Sequence, residues 1–451
     1  MGLGKSGFAA AKFLKNHGAQ VRVTESSEKK ETLENADFLK NLGVLVETGC
    51  HTEGFIKGSE LVVTSPGVSK KSLPLNTAKK LKIPVISEIE LASYFCLGPQ
   101  AAITGSNGKT TTCHLVHRIL REAKRKSVLC GNVGVPFLEE IPRIDKNTTT
   151  VIELSSFQLE DCPAFHPKIA VVLNVSPNHL DRHRNMKSYI LAKEKIFLNQ
   201  KKSDYLILNH DNAIVRAMAR KARSKIIFFS KTPIPRGIFV RDGKIVVREG
   251  RRETVYLDSQ NFGLKGEHNL ENILAASAVA WILKIPAKSL QKTLNSFRTL
   301  EHRIESLGVL KGIHFVNDSK STTIASTKAA ILAVNGPLVL IAGGRDKGAD
   351  FEEIQPLLKN KVKKAVLYGE AREKIAGAWR SFGDHQSVKN FKEAVRLAFR
   401  LASTGDSILL SPMCASFDQF SCFEERGEAF KEIFKMLKSE EASRRRPRPL
   451  S

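Results

Sequence analysis

Three observations predict an α/β protein of three domains, the outer two Rossmann-like with parallel sheets. Short apolar runs alternate with helical patterns along nearly the whole chain, as βα units on a parallel sheet do. Two glycine-rich turns, at residues 2–7 and 105–108, each stand at the head of a helical pattern. The 451 residues also exceed what one core of ordinary size encloses.

Composition narrows the partners. The net charge is +25, from 71 basic and 46 acidic residues. The basic residues are scattered as pairs such as Lys29-Lys30, Lys79-Lys80 and Lys201-Lys202. No zinc-finger spacing or aromatic RNA-reading motif accompanies them, so no nucleic acid is expected and an anionic small molecule suits the charge as well. No apolar run approaches the ~18 residues of a membrane span, and membrane insertion is not expected. The seven cysteines are dispersed without Cys-x-x-Cys spacing, which predicts free thiols in a cytoplasmic protein.

The first domain is read over residues 1–93. Gly2, Gly4 and Gly7 form a G-x-G-x-x-G turn before a helix, and a strand from Val21 ends at Glu25. That pattern suits a nucleotide diphosphate and its ribose. Further βα units have strands at Leu61–Thr64, ending in Ser65-Pro66-Gly67, and at Pro84–Ile86.

The second domain, residues 94–297, carries the strongest signal. The apolar run Ala101-Ala102-Ile103-Thr104 enters Gly105-Ser106-Asn107-Gly108-Lys109-Thr110-Thr111, and a helix follows. Glycines let backbone N–H groups approach a phosphate, Lys109 reaches the outer phosphates and the Thr110 hydroxyl can ligate Mg²⁺. Only two residues separate Gly105 from Gly108, fewer than in the common phosphate-loop motif. The domain is read as a P-loop ATPase-like α/β domain. Glu153 closes the buried strand Thr150–Leu154 and is the expected second Mg²⁺ anchor. Ala170–Val175 leads into Asn178-His179-Leu180-Asp181-Arg182-His183, where His179 beside Asp181 at a strand end reads as functional. Residues 226–258 read as an excursion away from the core sheet. Asn269 and Asn272 share one face of an Ala-rich helix.

The third domain, residues 298–440, repeats the α/β pattern. Its strands are Ile313–Asp318, Leu338–Ala342, Ala365–Tyr368 and Ser407–Ser411. The tail 441–451, rich in arginine and proline, is expected to be disordered.

These motifs together resemble the Mur ligases. Thr104–Thr111, Glu153–Glu160, Asn178–His183 and Asn317–Thr322 are similar to that family's motifs, short glycine spacing included. Ser411-Pro412-Met413-Cys414-Ala415-Ser416-Phe417-Asp418-Gln419-Phe420 with Phe423–Gly427 resembles the D-glutamate-adding branch. The resemblance implies ATP-driven amide formation in peptidoglycan synthesis between UDP-N-acetylmuramoyl-L-alanine and D-glutamate. It implies catalytic roles for Lys109, His179, Lys193 and Asp181. ATP would meet Gly105, Ser106, Asn107, Gly108, Lys109, Thr110, Thr111, Asn269, Asn272, Arg303 and Asp318. The UDP-substrate would meet Leu3, Gly4, Lys5, Ser6, Glu25, Gly67, Asn132, Ser155 and Gln158. Lys320, Thr322, Lys347, Ser416, Phe417 and Phe423 would line the D-glutamate pocket. Two Mg²⁺ ions are implied, held by Thr110, Glu153, His179 and a carbamylated Lys193, in a chain acting as a monomer.

Two departures from the family pattern stand out. Glu25-Ser26-Ser27 lacks an arginine that the family often places near uracil. The chain also opens on the glycine turn, without the central strand that should precede it, so the natural start is expected several residues upstream of Met1.

Overall fold

The strand that feeds the phosphate loop, Gln100–Thr104, is buried at every residue and lies inside a nine-stranded sheet. Small residues, Ala101 and Ala102, suit a strand covered on both faces. The computed structural model describes residues 1–177, 183, 185–259, 262–264, 267–297 and 301–444. The chain divides into two units, Met1–Gly263 with Asn269–Phe297, and Leu264–His268 with Arg298–Ser451.

In the first unit the large sheet runs, edge to edge, Arg252–Asp258, Lys244–Glu249, Gly237–Arg241, Lys225–Ser230, Tyr205–Asn209, Ile169–Val172, Gln100–Thr104, Thr149–Glu153 and Ser127–Gly131. Strands from Ser127–Gly131 to Lys225–Ser230 are mutually parallel, so their C-terminal ends share one edge. Residues 226–258 are not an excursion. Lys225–Ser230 pairs in parallel with Tyr205–Asn209, and Gly237–Arg241, Lys244–Glu249 and Arg252–Asp258 continue the same sheet. The tight turn at Asp242-Gly243 did signal a hairpin, but Phe239, Ile245 and Val246 are buried and need the core to cover them. A free-standing hairpin would leave them wet.

The N-terminal region of this unit holds two small parallel sheets. Arg22–Glu25 pairs with Leu45–Thr48, and Val62–Thr64 with Val85–Ser87. The Met1 amine donates to Val63 O (2.8 Å), Ser65 N–H to Met1 O (3.0 Å), and Gly2 N–H to Thr24 O (3.1 Å). Met1 and Gly2 are thus bonded to both sheets.

The second unit contains a six-stranded sheet in the order Glu305–Leu310, Ile313–Asn317, Ser407–Met413, Leu338–Gly343, Val362–Tyr368 and His385–Ser387. The first pair is antiparallel and the rest parallel. The final helix runs Phe423–Arg444, four residues into the stretch expected to be disordered. Glu441 explains the difference: its carboxylate is buried and pairs with Lys311 Nζ at 2.6 Å. Among the described residues no helix is long and apolar enough to cross a membrane, and all seven cysteines are free thiols.

Glu88 gives the fold a pH signature. It is buried, its carboxylate accepts the Leu138 N–H at 2.8 Å, and burial raises its pKa to about 7 from an ordinary 4.5. The folded state therefore holds a proton that the unfolded chain releases between those values. Stability from this group is present at low pH and lost as pH rises through 4.5 to 7. Glu88→Gln keeps the acceptor and removes the titration. Relative to wild type, its unfolding free energy should gain on the order of 3 kcal/mol between pH 4 and pH 8. Denaturant melts at the two pH values test this.

Candidate active site

The phosphate loop sits at the C-terminal edge of the parallel strands, clasped by the end of Ile169–Val172. Ser106 N–H donates to Asn174 O (2.9 Å), and Asn107 N–H donates to Asn174 Oδ1 (2.8 Å). Ser106 Oγ donates to Ser176 O (3.1 Å) and shares a hydrogen bond with the Tyr189 hydroxyl (3.0 Å). Gly108 caps the helix Lys109–Glu122 at φ +82°. A Cβ there would stand 2.1 Å from Asn272 Oδ1, so the loop and the helix carrying Asn269 and Asn272 meet at this glycine. Both asparagines are buried, and Asn272 Oδ1 also accepts the Thr112 hydroxyl at 3.3 Å. Gly108→Ala combines a left-handed backbone with displacement of Asn272. It should weaken ADP binding about tenfold or more, measured by calorimetric titration, an effect of about 1.4 kcal/mol.

Lys109 folds over the loop, its Nζ donating to Gly105 O (2.9 Å) and Ser106 O (3.0 Å). Lys193 approaches from the helix Met186–Glu194. It is 1% exposed, and its Nζ donates to Gly105 O (2.9 Å) and Thr104 Oγ1 (3.4 Å). The Tyr189 ring lies 4.7 Å from that nitrogen. These partners carry no negative charge. Burial, and then the Lys109 cation, hold the Lys193 pKa well below the usual lysine value. The charged form of this amine is disfavoured at the phosphate loop.

Glu153 ends the neighbouring strand, paired in register with Ile103. One carboxylate oxygen accepts Asn132 Nδ2 at 2.7 Å. The other is buried without a hydrogen-bond partner among the described residues. Burying a carboxylate oxygen unpaired is costly unless a cation or donor arrives. That orphaned oxygen, the buried Thr110 hydroxyl and the Lys193 amine suit a divalent metal once the amine carries a carboxylate. His179 and Asp181 lie outside the described residues.

Some expected substrate residues are engaged locally. Ser155 and Gln158 form a reciprocal capping box on the short helix Ser156–Leu159. Leu3 is buried, and its N–H donates to Glu25 Oε2 at 2.7 Å. The Glu25 carboxylate therefore braces the first glycine turn, while Gly4, Lys5 and Gly67 are exposed. Asn132 is exposed beside Glu153.

In the second unit, the loops after Ile313–Asn317 and Ser407–Met413 converge. Asp318 is buried, accepting the Ser411 hydroxyl (2.8 Å) and the Ile304 N–H (3.2 Å), and burial raises its pKa to about 7. His302 and Ile304, flanking Arg303, have φ +60° and +48°. A β-branched residue in that region is strained, and such strain is kept where surroundings fix it. Lys320 Nζ lies 3.8 Å from the Phe423 ring centre, uniting two of the expected pocket residues. Ser416 is buried, and Phe417 and Lys347 are exposed. Arg426, fully buried, binds Ser319 Oγ (2.9 Å) and O (2.8 Å), Cys414 O (3.2 Å) and the Tyr368 hydroxyl (3.3 Å). Gly427 leaves room for His302, whose Nδ1 would stand 2.1 Å from a Cβ there. Glu301, His302 and Glu428 lie within metal-binding reach of one another, but Lys431 Nζ fills the place, 3.2 Å from Glu301 and 3.0 Å from Glu428.

Asn174, Tyr189 and Arg426 were not singled out from sequence. Asn174 offered a signal, as a polar residue at the end of an apolar parallel strand. Arg426 lies inside the Phe423–Gly427 motif.

Family models agree with this geometry. Residues 1–87 match a Mur ligase MurD-like N-terminal domain, residues 103–280 a Mur ligase middle domain, and residues 302–414 a Mur ligase glutamate ligase domain. The chain is 43% identical over 444 residues to a UDP-N-acetylmuramoylalanine–D-glutamate ligase of Caldicellulosiruptor bescii, covering 97% of each. The chain belongs to the Mur ligase family. A second such enzyme, of Koribacter versatilis, is 39% identical to this Mur ligase over 98% of the chain and 97% of its own length. Solved structures share the fold of this Mur ligase at low identity. The UDP-N-acetylmuramate-alanine ligase of Thermotoga maritima superposes with a TM-score of 0.61 at 17% identity, covering 97% of this chain and 98% of that one. A pseudomurein peptide ligase of Methanothermus fervidus gives 0.61 at 18%, with the same coverage.

Proposed function

We propose that this Mur ligase joins D-glutamate to UDP-N-acetylmuramoyl-L-alanine at the expense of ATP, a step in peptidoglycan precursor synthesis. The observation that carries the reading is the phosphate loop beside the buried Glu153 oxygen, which has no hydrogen-bond partner among the described residues. The substrate carboxylate attacks the γ-phosphorus of ATP and ADP leaves, giving an acyl phosphate. The D-glutamate amine attacks that carbonyl, loses a proton, and the tetrahedral intermediate expels inorganic phosphate. Lys109 exchanges its loop carbonyls for phosphate oxygens and neutralises charge on the transferring group. Thr110, Glu153, His179 and carbamylated Lys193 would hold Mg²⁺, which when bound neutralises further phosphoryl charge. Asp181 acts beside His179.

Gly105–Thr111, Asn269, Asn272, Arg303 and Asp318 hold the nucleotide. The exposed part of the first glycine turn, Gly67 and Asn132 hold the UDP-substrate. Lys320, Thr322, Lys347, Ser416, Phe417 and Phe423 hold D-glutamate, the lysines meeting its carboxylates. The chain works as a cytoplasmic monomer.

ADP release with UDP-N-acetylmuramoyl-L-alanine tests the reading. Sustained release should require D-glutamate and should not be supported by L-glutamate. Release that ignores the added amino acid, or equal use of L-glutamate, would reject it.

A further inference from the structure

His183 lies in the same sequence motif as His179 and Asp181. It is 2% exposed. Its Nε2 shares a hydrogen bond with Ser156 Oγ at 2.9 Å, and its Nδ1 lies 3.3 Å from Glu160 Oε1. Both ring nitrogens are engaged, so the ring cannot rotate without losing a partner. One neighbour is the Phe157 ring, nearly parallel at 5.3 Å; another is the Tyr189 ring at 5.1 Å.

The surroundings connect this ring to the chemistry. Ser156 and Phe157 belong to the segment immediately after the strand that ends in Glu153. Tyr189 is 1% exposed, bonds the loop through Ser106, and supports the Lys193 amine against its ring one helical turn further on. His183 therefore fills the space between the carboxylate segment and the helix that presents Lys193. Glu160 adds an outer anchor, since it lies 3.7 Å from Lys70 Nζ, in the segment that follows Gly67.

We infer that His183 is a positioning residue for the ligase reaction: its ring, packed against Phe157 and Tyr189, fixes Tyr189, and through Tyr189 the phosphate loop and Lys193, relative to Glu153. The inference rests on the ligase reading above. It requires a side chain of ring shape more than it requires a titrating group.

Three variants and a cycle test it in the full chain. His183→Ala should lower kcat at least about tenfold, because sub-ångström to ångström displacement of reacting groups costs that much or more. KM for the UDP-substrate and for D-glutamate should stay within about threefold, since those contacts lie on other segments. His183→Phe, which keeps the ring, should recover most of kcat, and His183→Asn, which keeps polarity without the ring, should not. Because His183 acts through Tyr189, the kcat losses of His183→Ala and Tyr189→Phe should be less than additive in the double variant.

Wild-type kcat in His183→Ala, rescue by Asn rather than Phe, or full additivity with Tyr189→Phe would each overturn the inference. Should His183→Ala fail to fold, the Phe and Asn variants decide alone. A wild-type protein that releases no ADP with both substrates would instead reject the ligase reading. In that case, unchanged ADP affinity in His183→Ala, by titration, would also overturn the positioning of the loop, and a loss restored by Phe would support it.

Discussion

Lys109→Ala is expected to lower ADP formation at least ~10²-fold, the loss typical of removing one preorganised charge from a transition state. Affinity for the UDP-substrate should remain close to wild type, because Lys109 belongs to the phosphate loop and the first glycine turn is built by other segments of the chain. The Lys109 ammonium bonds Gly105 O and Ser106 O. Alanine removes those two bonds as well, so a modest fall in thermal stability should accompany the loss of rate. Steady-state ADP release and equilibrium binding of the UDP-substrate measure the two effects. A variant retaining more than a tenth of the wild-type rate would remove Lys109 from phosphoryl transfer.

The second large effect concerns Lys193. As an amine it has one lone pair when neutral and none when protonated, so it is a poor ligand for Mg²⁺, whereas a carbamate offers two oxygens. Among the described residues its partners are a carbonyl, a hydroxyl and a ring, none of them anionic, and this burial disfavours the charged form and so favours reaction with carbon dioxide. Lys193→Ala should lose at least ~10²-fold in kcat. A short carboxylic acid such as acetate should restore part of the activity by supplying oxygens in the space left. Full activity in the alanine variant would exclude the carbamate, and so would wild-type activity unaffected by rigorous removal of carbon dioxide.

The sequence made the phosphate loop legible because its signal is local: strand, glycines, Lys-Thr and helix lie within a dozen residues. Glu153 was legible for the same reason, as a carboxylate closing an apolar run. Residues 226–258 were misread because pairing to a distant edge leaves no local trace beyond the hairpin turn itself. The end of the last helix was misplaced because Glu441 owes its burial to Lys311, 130 positions earlier in sequence. Leu3 and the Glu25 carboxylate matched a nucleotide fingerprint, yet in the fold they satisfy each other. His183 was visible as a motif letter, but its two anchors come from a segment that only the fold brings alongside.

Arg426 carries a consequence for how the protein is made. Its guanidinium joins Ser319, Tyr368 and Cys414, partners 107, 58 and 12 positions earlier in the chain. A ribosome delivers those partners first, and their carbonyls and hydroxyls stay hydrated until the final helix emerges. The second unit must therefore lock late and all at once, only after the helix Phe423–Arg444 has been synthesised. A nascent chain cut short before residue 426 should remain a chaperone client however complete its sheet, while the nucleotide loop, whose clasp closes within residues 104–193, can be set long before.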